Sequence, residues 1–381
     1  MDDSNPDLLP EGLEDRLPQE AAAGQRVLRA MLDAMDAHGY DRVSPPLIEF
    51  ERSLAGRMSG ISTRRMFRFI DPASLRTLAL RSDITPQVGR IAETRLARAP
   101  RPLRLCYAGP VVTIRGDGLD PARERLQVGA ELIGRDTVAA AAEVAGLAIE
   151  TLAAAGASGI SIDFTLPDLV DTLAGADGNG AMPLAPGNVA AVRRQLDAKD
   201  AGALVVAGGG AYLPLLYATG PFAQSIEKLA AIDAGGALES RIAGLREIAA
   251  RLGATAQITL DPSERHGFEY QSWFGFTLFA HGVRGALGRG GTYRIGREDG
   301  EGEVATGFSL YPDSLAGVVN TELARDTLFL PLGHDRDVAA RLRAIGWRTI
   351  AALDLEDDAV ALGCTHRLEG GEAAALAQPA R

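Results

Sequence analysis

The chain has 381 residues, of which 46% are hydrophobic and 23% are charged, so it is long enough for one large globular domain and a smaller one. Its 39 lysine and arginine residues are outnumbered by 50 aspartate and glutamate residues. The formal charge of −11 disfavours a nucleic-acid partner, because affinity for a polyanion depends on cationic side chains. The cysteines, Cys106 and Cys364, provide no disulfide framework and have no metal-ligand spacing.

The sequence predicts neither a membrane span nor a secretory signal. It contains no uninterrupted apolar run of about 18 residues. The segment from Met1 to Asn5 is acidic and lacks an apolar core. The histidines are scattered without metal spacing. We therefore expect a cytoplasmic protein that holds no metal.

The first predicted element is a helix from Pro18 to His38. Its apolar side chains recur at three- and four-residue spacing, namely Val27, Leu28, Met31, Leu32 and Met35. Gly39 suits the left-handed backbone that often ends a helix. The segment from Tyr40 to Glu49 is typical of a strand broken by prolines.

A second helix is predicted from Thr137 to Ala155. Alternating apolar residues then indicate a half-buried strand: Ile160, Ile162 and Phe164. Residues from about 166 to 252 are alanine-rich and predict a helical insertion, with breaks at Ala185 to Asn188 and at Gly208 to Gly210. The glycine run predicts a loop that does not bind phosphate, because no Gly-Lys-Ser/Thr follows it.

After residue 315 the sequence predicts one βαβ unit. Its parts are a strand from Thr327 to Leu330, a helix from Asp337 to Ile345 and a strand from Trp347 to Leu353. A further short strand is expected near Ala359 to Leu362, and the tail from Gly370 is expected to be disordered. We therefore divide the chain into a large domain, residues 1–320, and a small α/β domain, residues 321–381.

Two segments carry motifs that can be compared with known families. The stretch from Arg104 to Pro110 leads into Val111-Val112-Thr113-Ile114-Arg115, and the second segment runs from Gly307 to Ser314. In their order and spacing, these segments resemble the second and third motifs of class II aminoacyl-tRNA synthetases. The closest resemblance is to the catalytic domain of histidyl-tRNA synthetase, over about residues 8 to 320.

The resemblance breaks at the residues that hold ATP. The second-motif arginine of the synthetases corresponds to Thr113, and the third-motif arginine corresponds to Ser314. A guanidinium binds phosphate through a bidentate, charge-assisted fork, and each lost contact should cost roughly 1.5–3 kcal/mol. Losing both should weaken ATP binding by about two to four orders of magnitude. The alternative is that the alignment is shifted by a few residues and that a nearby arginine binds the phosphate: Arg104, Arg115 or Arg123.

A synthetase scaffold without these arginines resembles the regulatory subunits of ATP phosphoribosyltransferase, and the Asp-Ile-Thr-Pro sequence from Asp83 to Pro86 is similar to that family. The resemblance implies an α+β fold, with an antiparallel sheet flanked by helices, a helical insertion and a small C-terminal α/β unit. It implies a subunit with no catalytic residues, no cofactor and no bound tRNA. Its implied partner is the short-form catalytic subunit of histidine biosynthesis, within a hetero-octamer built from homodimers.

The same resemblance implies that histidine binds as an allosteric inhibitor. Five candidate residues stand at matching positions, and Thr85 is a sixth candidate: Asp83, Thr85, Gln127, Glu131, Tyr270 and Tyr293. Carboxylates suit the ammonium group of an amino acid. His266 stands where the synthetase has the arginine that contacts the substrate carboxylate. For Gln127 and Glu131, an exposed strand face is the alternative.

Two other functions stay open on the sequence alone. A diverged ATP-dependent ligase that activates an amino acid would need a phosphate-binding arginine elsewhere in the chain. A scaffold protein without a ligand would keep the fold but would not need Asp83, Gln127 and Glu131.

Overall fold

The computed structural model describes residues 8–55, 66–116, 121–175, 179–232, 235–265, 271–296, 302–317 and 326–377. The chain divides into two compact units, Met1–Val319 and Asn320–Arg381. The large unit is built around a nine-stranded sheet and also contains a three-stranded sheet, whereas the small unit has a four-stranded sheet.

The first part of the large unit runs from an N-terminal helix to a long hairpin. Its elements are α1 (Pro18–Ala37), β1 (Asp41–Arg42), β2 (Ile48–Phe50), α2 (Glu51–Ala55), β3 (Arg68–Ile70), β4 (Thr77–Leu80), α3 (Thr85–Thr94), β5 (Leu103–Val112) and β6 (Glu124–Ile133). The predicted first helix is confirmed, and Gly39, with a φ of +77°, ends it. The predicted strand broken by prolines is confirmed as two short strands, β1 and β2, which flank the two prolines.

The second part of the large unit contains the insertion and the remaining strands. Its elements are α4 (Val138–Ala154), β7 (Ser161–Thr165), α5 (Leu169–Ala174), α6 (Val189–Asp197), α7 (Ala201–Val206), β8 (Gly220–Pro221), α8 (Phe222–Ile232), α9 (Glu239–Leu252), β9 (Gln257–Leu260), β10 (Gln271–Phe279), β11 (Gly288–Ile295), β12 (Glu303–Leu310) and α10 (Asp313–Ala316). The second predicted helix is confirmed as α4, whose N-cap is the Thr137 hydroxyl, which accepts a hydrogen bond from the amide of Ala140 at 3.2 Å.

The insertion is helical over most of its length. Helices α5 to α9 lie within it, and two 3₁₀ helices, Pro186–Asn188 and Gly210–Tyr217, fall at the predicted breaks. The predicted loop from Gly208 to Gly210 is therefore a loop only in part, since Gly210 begins the second of these helices. Strand β8 is a departure from the prediction, because it pairs antiparallel with β9 and extends the main sheet.

The main sheet has the strand order β1-β5-β6-β12-β11-β10-β7-β9-β8. Neighbouring strands are antiparallel except for the pairs β1 with β5 and β7 with β9. Helices α1 and α4 pack on one face, where the largest hydrophobic core lies, and α9 packs on α4. On the other face, α3 covers a smaller core that includes Val88 and Tyr107. The uncovered part of this second face carries the candidate site.

The small unit confirms the predicted βαβ arrangement. Its elements are β13 (Thr327–Leu330), α11 (Arg336–Ala344), β14 (Arg348–Ala351), β15 (His366–Glu369) and β16 (Glu372–Ala375). Strands β13 and β14 are parallel and are joined through α11. The Asp335 carboxylate accepts hydrogen bonds from the amides of Asp337 at 2.8 Å and Val338 at 3.2 Å, which fixes the start of α11.

Two predictions for the small unit are wrong. Residues 359–362 form a turn instead of a strand, because the Asp358 carboxylate binds the backbone amides two and three residues later. The tail from Gly370 is not disordered through residue 377. Gly370 and Gly371, with φ of +58° and +89°, form the turn of an antiparallel hairpin between β15 and β16. A Gly-Gly pair favours such a turn because both positions need a positive φ.

Candidate functional site

Three glycines lie side by side on the face of the main sheet that α3 partly covers. Gly307 on β12 pairs with Gly291 on β11, which pairs with Gly275 on β10, and directly opposed residues of paired strands project to the same face. At about 4.8 Å between strands, these positions span roughly 10 Å across the sheet, over which the three residues contribute no side chains of their own. Glu131 on β6 is opposite Gly307, and Thr165 on β7 is opposite Gly275. We call the strip between these two side chains the glycine trough.

A row of polar side chains runs beside the glycine trough, two residues along each strand. Its members are Ser309 on β12, Arg289 on β11, Thr277 on β10 and Asp163 on β7. Alternate residues of a strand share a face, so this row lies on the same side of the sheet as the trough. On the other flank, Tyr293 on β11 pairs with Ala305 on β12. Side chains therefore border the trough on all four sides.

Glu131 is a buried carboxylate at one end of the glycine trough, with 1% of its surface exposed. Tyr107 donates a hydrogen bond to its Oε1 at 3.1 Å, and Tyr293 donates one to its Oε2. Burial raises the pKa of Glu131 to about 8, the two tyrosine hydroxyls act against this rise, and the charge of Asp83 adds to it. An ionised carboxylate in such a place is stabilised by a cation, so Glu131 is suited to an ammonium group.

Gln127, which is fully buried, connects β6 to the start of α3. Its Nε2 donates hydrogen bonds to Asp83 Oδ1 at 2.8 Å and to Ser309 Oγ at 2.7 Å. Its Oε1 accepts one from the amide of Ile84 at 2.8 Å. Asp83 Oδ1 also accepts a hydrogen bond from the amide of Thr85 at 2.9 Å, at the first turn of α3. These bonds fix the Asp83 carboxylate relative to β6.

Tyr107 and Ser309 belong to the same network, and the sequence analysis missed both. The Tyr107 hydroxyl is 3.0 Å from the Thr85 hydroxyl and 3.1 Å from the Ser309 hydroxyl. Burial raises the pKa of Tyr107 well above its ordinary value and the charge of Glu131 adds to this, so the phenol stays protonated and donates. Gly129 leaves room for it, because a Cβ there would lie 2.5 Å from the Tyr107 hydroxyl oxygen. In the sequence, the feature that could have indicated Tyr107 was Gly129, which lies between the candidate residues Gln127 and Glu131 on β6.

The structure brings five of the six predicted histidine ligands into one hydrogen-bonded network. They are Asp83, Thr85, Gln127, Glu131 and Tyr293. The sixth, Tyr270, lies outside the described residues, as does His266. The alternative of an exposed strand face is wrong for Gln127 and Glu131, because both are buried. Their binding of histidine stays a prediction.

Thr113, at one of the two ATP positions, and Asp313, next to the other, take part in internal bonds. The Thr113 hydroxyl donates to the carbonyl oxygen of Arg115 at 2.9 Å. The Asp313 carboxylate accepts a hydrogen bond from the amide of Leu126 at 2.9 Å and forms an ion pair with Arg16.

The three arginines that a shifted alignment would assign to phosphate binding do not support that alternative. Arg104 donates hydrogen bonds to the Glu143 carboxylate at 2.7 and 2.8 Å. It stands three residues from Tyr107 on β5 and therefore projects to the opposite face of the sheet. Arg123 donates from Nη1 to the carbonyl oxygen of Glu11 at 3.1 Å, which ties it to the N-terminal segment. Arg115 is exposed.

Arg81 is a buried arginine whose contacts are structural. Its Nε donates to the carbonyl oxygen of Pro110 at 2.8 Å, and its Nη1 donates to that of Pro45 at 2.9 Å. Gly109 leaves room for it, because a Cβ there would lie 2.1 Å from Nη2 of Arg81. Burial lowers the pKa of Arg81 below its ordinary value. This guanidinium ties β5 to the prolines between β1 and β2.

The described ranges offer no metal site, no membrane-spanning helix and no reactive thiol. No group of three His, Cys, Asp or Glu side chains in that part of the chain could hold a metal ion. No helix among the described residues combines the length and apolar character that a membrane crossing requires. Cys106 and Cys364 are buried free thiols, and burial raises the pKa of Cys106 to about 11, so this thiol is a poor nucleophile.

The chain is similar to known sequences over nearly its whole length. The sequence model of the histidyl-tRNA synthetase family matches residues 12–315. The ATP phosphoribosyltransferase regulatory subunit of Rhodospirillum centenum is 42% identical over 374 residues, covering 96% of this chain and 95% of that protein. The protein of the same name from Rhodospirillum rubrum is 39% identical over 372 residues, covering 95% of each chain.

Solved structures show the same fold. An ATP phosphoribosyltransferase regulatory subunit/histidyl-tRNA synthetase from Bacillus halodurans aligns with a TM-score of 0.80 at 23% identity, covering 95% of this chain and 97% of that chain. A histidyl-tRNA synthetase from a Nostoc species aligns with a TM-score of 0.76 at 16% identity, covering 94% and 90% of the two chains. The predicted class II synthetase-like α+β fold is confirmed.

Proposed function

This chain belongs to the histidyl-tRNA synthetase-like family, in the branch of ATP phosphoribosyltransferase regulatory subunits, and we propose that it activates a short-form catalytic subunit and transmits feedback inhibition by histidine. The observation that carries the proposal is similarity to regulatory subunits over nearly the whole chain. Thr113 and Ser314 at the ATP positions agree with it, because a regulatory subunit does not need adenylate chemistry. The amino-acid-activating ligase is not favoured, and the catalytic residues of phosphoribosyl transfer belong to the partner.

The glycine trough supports the histidine part of this proposal. Its carboxyl end, formed by Glu131 and Asp83, is suited to the ammonium group of an amino acid, because a cation beside Glu131 favours the ionised form that burial disfavours. Gly291 and Gly275 contribute no side chains of their own to its floor, so these two positions do not block a flat imidazole ring. Tyr293 and Tyr107 hold the Glu131 carboxylate in place through their hydroxyls. We therefore place the inhibitor in the trough.

The charge of the chain supports a protein partner over tRNA. The helical insertion, residues 166–252, carries seven lysine and arginine residues against nine aspartate and glutamate residues. An insertion that held RNA would need an excess of cations to displace the counterions of the phosphate backbone. We propose that this insertion makes no RNA contact.

The proposed assembly follows from the family resemblance. It is a homodimer that joins catalytic subunits in a hetero-octamer in the cytoplasm. In the synthetases that this chain resembles, the homodimer forms through the first motif. That motif corresponds here to α1 and the segment after it. Light scattering of the reconstituted complex, with and without the catalytic subunit, measures both the dimer and the larger assembly.

Reconstitution tests the proposal as a whole. The purified chain is mixed with a short-form catalytic subunit, and phosphoribosyl transfer from phosphoribosyl pyrophosphate to ATP is measured with and without histidine. We expect no transfer by this chain alone, and higher, histidine-sensitive activity in the mixture. A catalytic subunit that is equally active and equally inhibited without this chain would contradict the proposal.

A further inference from the structure

We infer that Arg289 binds the carboxylate of the amino acid that occupies the glycine trough, an inference that rests on the proposed histidine site. The family's carboxylate-binding arginine corresponds to His266 in this sequence. A zwitterionic ligand held at its ammonium end still carries a negative charge at the other end. A cation beside the trough is therefore the chemistry that the site requires for an amino acid.

The strand register places Arg289 beside the trough. It is directly opposite Ser309 on one neighbouring strand and Thr277 on the other, and it is two residues from Gly291 on its own strand. Its Cα is roughly 8 Å from that of Gly307, as strand spacing and rise imply. An extended arginine side chain covers a comparable distance, so its guanidinium can reach a ligand that lies over the glycine floor.

The surroundings of Arg289 suit a charge that is used for binding. The residue is half-buried, and its Nε is shielded from solvent. A partly dry environment strengthens a charge-assisted hydrogen bond. Arg289 already takes part in an interaction within the chain, so a ligand carboxylate has to share or displace that contact. A guanidinium can do both, because it offers five N–H donors.

A second arginine on the same face provides a comparison. Arg125 is two residues from Gln127 on β6, away from Glu131, and its guanidinium carbon lies 4.1 Å from the centre of the Tyr311 ring. Arg125 is therefore placed beyond the network, at the end of the face where a synthetase holds ATP. Arg289 is the arginine whose row borders the trough.

The separation of charges gives the ligand an orientation. Glu131 and Asp83 hold the ammonium end, and Arg289 holds the carboxylate through a bidentate fork. Histamine, which is histidine without its carboxylate, lacks the group that Arg289 recognises. Arg289 therefore determines the preference for an amino acid over the corresponding amine.

Calorimetry with histidine and histamine tests this inference on the full-length chain. We expect the wild-type protein to bind histidine about ten- to a hundredfold more tightly than histamine, the usual effect of a charge-assisted contact. Arg289→Gln should lose this preference through weaker histidine binding, with histamine affinity unchanged. Arg289→Lys should keep part of it, because an ammonium retains the charge without the fork. Arg125→Gln is the matched control and should keep it entirely.

The possible outcomes distinguish a failure of the Arg289 contact from a failure of the proposed histidine site. A wild-type protein that binds neither ligand overturns the histidine site and the role of Arg289 with it. A wild-type protein that binds histidine, together with an Arg289→Gln variant that keeps the full preference over histamine, overturns the role of Arg289 alone. If the glutamine variant does not fold, as shown by its thermal unfolding curve, an unchanged preference in Arg289→Lys overturns the bidentate contact.

Discussion

The carboxylate of Glu131 occupies the space directly above Gly307. A Cβ at position 307 would lie 1.5 Å from Oε2 of Glu131 and 2.5 Å from its Cδ, far inside contact distance. Glycine is therefore needed at 307 for a close approach of a side chain. The position of the buried carboxylate therefore depends on the glycine at this end of the trough.

Gly307→Ala should disrupt both the position of the Glu131 carboxylate and the floor of the trough. The added methyl group has to displace the Glu131 carboxylate, so we expect a loss of about 1–3 kcal/mol in the free energy of unfolding, as for other overpacked sites. Histidine affinity should fall by at least about tenfold. Chemical denaturation and calorimetry measure the two effects. Gly24→Ala on α1, where a Cβ meets nothing within 4 Å, is the control and should stabilise the protein by about 0.5–1 kcal/mol. If Gly307→Ala and Gly24→Ala had equal stability and equal histidine affinity, the close approach of Glu131 to Gly307 would be disproved.

Glu131→Gln should weaken histidine inhibition of the assembled complex by about ten- to a hundredfold, because one charge-assisted contact to the ammonium group is lost. Activity without histidine should stay nearly the same, since the pocket is expected to lie apart from the partner's catalytic residues. Substrates of the partner should in turn change histidine affinity, because coupling between sites is reciprocal. Glu150→Gln, at an exposed carboxylate on α4, is the matched control. Unchanged histidine affinity in the Glu131 variant would place the inhibitor elsewhere.

The stability of the ligand-free protein should depend on pH through Glu131. Burial raises the pKa of this carboxyl from 4.5 to about 8 in the folded chain. Between these values the folded state binds more protons than the unfolded state, so the stability contribution is fully present below about pH 4.5 and is lost as the pH rises through 8. The slope from one group is at most about 1.4 kcal/mol per pH unit. Glu131→Gln should remove it, so the variant should gain stability relative to wild type between pH 5 and pH 8 in urea unfolding. If the free energies of unfolding of the wild type and the variant changed with pH in the same way, a buried, protonated Glu131 would be ruled out.

The isolated chain should not catalyse histidine-dependent exchange of pyrophosphate into ATP. Thr113 and Ser314 lack the guanidinium groups that hold phosphate. A histidyl-tRNA synthetase assayed in parallel serves as the positive control. Exchange above background by pure protein would restore the ligase as a candidate function.

Local sequence patterns were sufficient for the elements that depend on neighbouring residues. The apolar spacing of α1 and the Gly39 that ends it were predicted correctly, because a helix face needs only a three- and four-residue repeat. The same local reasoning failed at Gly370 and Gly371. There the tail was expected to be disordered because it is a chain terminus, although the two glycines supply the positive φ that a hairpin turn needs.

The family, its fold and five residues of the polar network were available from the sequence by itself, because motif order and spacing survive in the chain even where the ATP-binding arginines do not. The tertiary structure alone decided which residues complete the site. Tyr107, Ser309 and Arg289 lie on three different strands, and they meet the trough only through the register of β5, β12 and β11. A shift of one residue in any of these pairings would turn a side chain to the opposite face. Register is set by long-range packing, which a linear pattern does not contain.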